Sequence, residues 1–255
     1  MKLPFVAFSA IMMMSTLSHA ALLAGDIAII GRTNNGVAPN PDSFAFVALS
    51  TINAGEIIYF TDNGWTGTAF RSPSATDGDG NENLLKWTAI NSIAPGTIIQ
   101  TNTISSNFSY TAVGAVPGGT SGAFADLALA TASDQIYAFQ APDNLPLQNP
   151  SVQLFVLDDT NGFEAATSAA TGGNPGLTLG LTAVSLNFAT AGTIGFNTAA
   201  ITSGTKEDWL AAIGNSANWS SATPLPSGSI TVIPEPSGAT LLGAFGVMAL
   251  FRRRK

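Results

Sequence analysis

The densest run of oxygen donors in the chain is Asp77-Gly78-Asp79-Gly80-Asn81-Glu82. Oxygen side chains separated by glycine let a tight loop turn several ligands toward one hard cation, so Asp77, Asp79, Asn81 and Glu82 form a candidate calcium site. The likeness to a helix-loop-helix calcium loop stops at its first half, because Glu82 stands where the turn glycine belongs and Thr88 where the closing glutamate belongs. A solvated loop between strands is the competing reading. Asp158-Asp159 with Glu164 offers the carboxylates of a glycosidase, but adjacent residues of a strand point to opposite faces, and a solvated acidic turn is expected there. Asp62-Asn63-Gly64-Trp65 holds a strong turn dipeptide and reads as a structural corner with Trp65 folded over the core. Were Trp65, Trp87 and Trp219 to line one open face, they would stack on sugar rings.

Much chemistry is excluded by what the chain lacks. Cysteine is absent, which removes disulfides, thiol nucleophiles and thiolate metal sites. The one histidine, His19, lies in an N-terminal segment expected to be removed, so the mature chain has no Ser-His-Asp, Cys-His or imidazole chemistry. Between Ala21 and Ile233 only Arg32, Arg71, Lys86 and Lys206 are basic against fifteen acidic residues, a net charge of −11. Such a body lacks the cationic footprint that nucleic acid or anionic lipid requires. No cofactor is expected apart from the candidate calcium.

The two ends differ from this body. The opening MKLPFVAFSAIMMMSTLSHA runs from a basic start through a short apolar core to small residues, the order of a secretory signal peptide over 1–20 with cleavage between Ala20 and Ala21. At the other end, Gly238 to Phe251 is uncharged and is followed by Arg252, Arg253, Arg254 and Lys255. As a helix those fourteen residues span about 21 Å, short of a hydrocarbon core of about 30 Å, so a single helix over 237–251 is a marginal span. The basic cluster favours the cytoplasmic side and leaves the body outside. Pro234 and Pro236 hold Pro234-Glu235-Pro236 as a non-helical handle before the apolar run.

Handle, weak helix and basic stop, in that order over residues 234–255, resemble a PEP-CTERM sorting signal. The resemblance implies a membrane-embedded exosortase as partner, cleavage near the motif, transient anchorage in the inner membrane, and release or attachment at the surface of a bacterium that builds extracellular polysaccharide. A permanent single-span anchor shares the same physics.

Elements must position whatever the body presents. Period-two patterning and short apolar runs predict strands over 26–31, 43–49, 56–61, 84–88, 97–101, 135–140, 152–157, 183–188 and 192–196. Thr205 and Asp208 form a capping-box pattern for one helix over 206–213, with Gly214 as its stop, a small lid on the sandwich. The fold class is therefore all-β, a Greek-key or immunoglobulin-like β-sandwich with one short helix over 21–225, then a linker over 226–233. Ile52-Asn53-Ala54-Gly55, Ile93-Ala94-Pro95-Gly96 and Thr190-Ala191-Gly192 echo one another as glycine corners before strands rather than as repeats. The stretch PDSFAFVALSTINAGEIIYFTDNGW, with the later Ala94-Pro95-Gly96 turn, resembles an uncharacterised β-rich module of exported bacterial proteins and, distantly, lamin-tail sandwiches. That likeness implies fold and no catalysis. The expected function is that of a non-enzymatic exported surface or matrix protein. A carbohydrate-binding or adhesive module, calcium-assisted, is the alternative.

Overall fold

The computed structural model describes residues 21–34, 42–71, 84–101, 105–112, 127, 129–131, 134–142, 147, 150–160, 162–165, 171–188, 192–221 and 224–235. The expected signal segment to Ala20, the apolar tail from Pro236 to Lys255, and the calcium loop with Asp77, Asp79, Asn81 and Glu82 lie outside the described residues. No helix among the described residues is long and apolar enough to cross a membrane.

The described chain is all-β with one α-helix. Strands β1 (Ile27–Asn34), β2 (Ser43–Ala48), β3 (Ile57–Thr61), β4 (Leu84–Ala89), β5 (Ile98–Gln100) and β6 (Phe108–Ala112) precede β7 (Gln135–Gln140), β8 (Val152–Asp158), β9 (Ala183–Ser185), β10 (Gly192–Phe196), helix α1 (Lys206–Gly214) and β11 (Trp219–Ser220). They form two sheets, ordered β11-β10-β1-β2-β5 and β6-β4-β3-β7-β8-β9. All ladders are antiparallel except β8 with β9. Phe44 and Phe46 from the first sheet meet Phe60 and Trp87 from the second at ring separations of 4.8 to 5.4 Å, and these contacts knit the sheets across one core.

Burial on both faces departs from simple alternation. Ile58 and Phe60 of β3 point between the sheets, whereas Tyr59 joins Tyr137, Phe139 and Val156 in a second cluster on the outer face of the six-stranded sheet. Trp65 and Phe70 cover that face, their rings 5.0 Å apart and edge to face. The corner at 62–65 thus caps a secondary core, and the expected fold-back of Trp65 is its cause. Aromatic side chains supply the area that a loop needs to close a sheet face.

A bulge controls what β1 buries. Ile29 pairs with Phe46 and Gly31 with Ala45, leaving Ile30 as the extra residue. One added residue reverses the alternation of the strand, so Arg32 pairs with Phe44 and turns inward where an unbroken strand would turn it out. A lone arginine in the apolar strand IAIIGRTN is therefore buried, at 2% exposure.

Several expectations need correction. Strands β6 and β11 are edge strands that the apolar pattern did not reveal: each pairs on one side only, so a weaker apolar signal suffices. The helix has the expected capping box from Thr205 and Asp208 but is more than a lid, because Trp209, Leu210 and Ile213 are buried in the main core. The helix stops at Asn215 in extended backbone rather than in a left-handed turn at Gly214, and Gly214 is needed because a Cβ there would sit 1.8 Å from the Gly180 carbonyl oxygen. The segment 226–233 is no linker, since its backbone is bonded to the body along its length. The Asp158-Asp159 turn is not solvated either, both residues being 1% exposed.

Candidate functional site

The site that the described residues build around the tail motif starts from a glycine corner. Ala94-Pro95-Gly96 turns the chain into β5 with Gly96 at φ +86°, a conformation that glycine adopts at little steric cost. The same bareness admits the segment that precedes the motif: a Cβ on Gly96 would lie 2.1 Å from the Ile230 carbonyl oxygen. Ser229 pairs with Thr97, the Ile98 amide donates to the Gly228 carbonyl at 3.2 Å, and the Ile230 amide donates to the Gly96 carbonyl at 2.9 Å. Upstream, the Gln100 side-chain amide donates to the Leu225 and Pro226 carbonyls at 3.0 and 2.9 Å.

Helix α1 secures the rest. Gly204, just before the cap, pairs with Val232; its amide donates to the Thr231 carbonyl and its carbonyl accepts from the Ile233 amide at 2.7 Å. The Trp209 indole N–H also donates to the Thr231 carbonyl, at 3.0 Å. Ile230 and Val232 pack on the core while Ser229, Thr231 and Ile233 face solvent, the alternation of an added strand. Pairing ends at Ile233 because Pro234 has no amide to donate.

Pro234 and Glu235 are exposed at the rim of an open groove of about 340 Å³, which Leu49, Ser50, Pro95 and Lys206 also line. Lys206 lies 3.3 Å from Asp26, whose carboxylate also accepts from the Ser50 hydroxyl and from the Leu23 amide. Asp26 therefore ties the start of the described chain to the place where the motif leaves it. The Glu235 carboxyl is raised above the ordinary carboxylate range, first by a hydrogen bond with the Glu207 carboxyl and the charge of that group, with a smaller opposing pull from Lys206. Pro236 and Arg252 to Lys255 are outside the described residues, as is Ala20; Ala21 is described and exposed.

At the far end of β1 lies a second polar cluster. Arg32 donates through Nε to Asp159 at 2.6 Å and again through a second nitrogen, and it reaches Asn34 at 2.6 Å and the Gly192 carbonyl at 2.8 Å. Asp159 follows β8, so this ion pair joins the two sheets. Asp158 turns the other way and accepts from the Thr160 amide and hydroxyl. Burial pushes its carboxyl up to about 6, against the lowering effect of those two bonds. Asp134 is raised well above its usual range, mainly by burial and by the charge of Asp62, although the Ala130 and Gln135 amides stabilise its anion. These buried acids accept from backbone amides, and Glu164 is exposed but close enough for its charge to help raise the Asp158 carboxyl. No group of three or more possible metal ligands occurs among the described residues.

The tryptophans do not share a face. Trp65 belongs to the outer cluster, Trp87 and Trp219 to the main core, and all three are buried. Sequence reasoning passed over Lys206, Asp26 and Arg32 as site-forming residues. Their signal was scarcity: with four cations in the body, each has a high chance of an assigned acidic partner. No protein-family model, curated protein or solved structure matches the chain.

Proposed function

We propose that this chain is a non-enzymatic exported protein of the PEP-CTERM type, cut after Ala20 on export, held briefly in the inner membrane by 237–251, and processed near Pro234-Glu235-Pro236 by an exosortase. It is then released or attached at the cell surface or in an extracellular polysaccharide matrix. The order of handle, short apolar run and basic stop carries the reading, and the exposure of Pro234 and Glu235 at the body's edge is what a recognition handle needs. The body's finer class is a Greek-key sandwich: β7 returns beside β3 after β4 and β6 have been laid down on the other side of it. Sugar stacking by Trp65, Trp87 and Trp219 is unsupported, since all three rings are enclosed. The test is mass spectrometry of the mature C-terminus. Wild-type protein is expected to lack Arg252 to Lys255, whereas Glu235→Ala is expected to be exported normally and to accumulate uncut in the membrane. Protein recovered outside the cell with all three arginines would overturn the proposal.

A further inference from the structure

We infer that the body binds the root of its own tail as a latch: residues 228–233 dock as an added edge strand against Thr97 and Gly204, and the Pro-Glu-Pro handle becomes cleavable only when this strap peels away. The inference rests on the exosortase reading above and concerns the regulation of that same site.

Three observations carry it. The strap is recognised in the manner of strand addition, with backbone bonds to Gly96, Ile98 and Gly204, an indole bond from Trp209, and alternate side chains of Ile230 and Val232 seated on the core. Gly96 has the shape that this requires, since any side chain there would strike the Ile230 carbonyl. The last bond is that of the Ile233 amide, and the uncharged run starts at Gly238. Residues 234–237 can bridge at most about 14 Å, so with the strap docked and the run in the membrane the body sits against the headgroups. A peptidase must enclose the handle's backbone from both sides. The docked body occupies the N-terminal approach to it.

The strap is also suited to release. Its bonds lie at the surface, Ser227, Gly228, Ser229, Thr231 and Ile233 are exposed, and segments of that kind open at the low end of a protein's range of local stabilities.

A reversible staple tests this in the full-length chain. Thr97 and Ser229 face each other between the Ile98-to-Gly228 and Ile230-to-Gly96 bonds, a non-hydrogen-bonded pair. Such pairs have Cα atoms about 4.5 Å apart, within the disulfide range. The chain has no cysteine of its own to interfere. Thr97→Cys/Ser229→Cys, produced in an exporting host that carries an exosortase, is expected to keep its tail when oxidised and to lose it at the wild-type rate after dithiothreitol. Trp209→Phe, which deletes the indole donor to Thr231, is expected to be processed a few-fold faster per folded molecule. Cleavage of the oxidised double variant at the wild-type rate overturns the latch alone. A wild-type chain that keeps its tail overturns the latch and the sorting proposal together. If the double variant fails to accumulate even when reduced, Trp209→Phe decides: unchanged or slower processing rejects the latch.

Discussion

At the scale of single residues, two positions show how much a local rule depends on its neighbours. Gly55 and Gly96 both have positive φ, at +88° and +86°, but nothing lies within 4 Å of a Cβ built on Gly55. Gly55→Ala is therefore expected to cost only the left-handed conformation, about 1–2 kcal/mol. Gly96→Ala is expected to cost more, because it also evicts the Ile230 carbonyl; urea unfolding of the two variants measures the difference. Arg32 is the other case. Removing it leaves the Asp159 carboxyl buried beside other acids without its ion-pair partner, so Arg32→Met is expected to lose about 3–5 kcal/mol. Arg32→Met/Asp159→Leu should cost less than that single change, which a double-mutant cycle resolves. The arginine was plain in the sequence, but its inward direction follows from the bulge at Ile30 and from a partner 127 residues away.

At the scale of elements, the central strands and the helix cap were legible and the margins were not. Gln135–Gln140 and Gly192–Phe196 coincide with expectation because each combines an apolar run with flanking turn residues. Edge elements need less apolar area, and Ser227-Gly228-Ser229 reads locally as a loop. Its strand character comes wholly from the Thr97 edge it meets. A chain ending at Leu225, the boundary expected from composition, should accordingly be less stable than one ending at Ile233. Loss of the five bonds at Gly228, Ile230, Thr231 and Ile233 amounts to on the order of 2.5–7.5 kcal/mol, at about 0.5–1.5 kcal/mol each. Thermal melting of the two truncations gives the comparison.

At the scale of the whole molecule, the buried acids set the response to pH. Asp158 and Asp134 both titrate above the ordinary carboxylate range in the folded state. Groups raised in this way bind protons more tightly when folded, so their contribution is full below about pH 4 and is lost as the pH climbs through their folded values. For Asp158 the shift to about 6 corresponds to on the order of 2–3 kcal/mol. Unfolding free energy should therefore decline from about pH 4 to about pH 7, most steeply between the ordinary and the folded Asp158 values, and Asp158→Asn should flatten the slope while keeping an acceptor for Thr160. A slope unchanged in that variant would assign the effect to other groups. By itself the sequence determined the all-β class, the central strands, the capped helix and the absence of thiol chemistry, because composition, periodicity and caps act over a few residues. Only the tertiary structure decided that Asp158 and Asp159 are buried, that the tryptophans are enclosed, and that 226–233 belongs to the body. Those outcomes depend on which surfaces meet across long separations in the chain, and hydrophobic burial and hydrogen-bond satisfaction are properties of the meeting rather than of either segment.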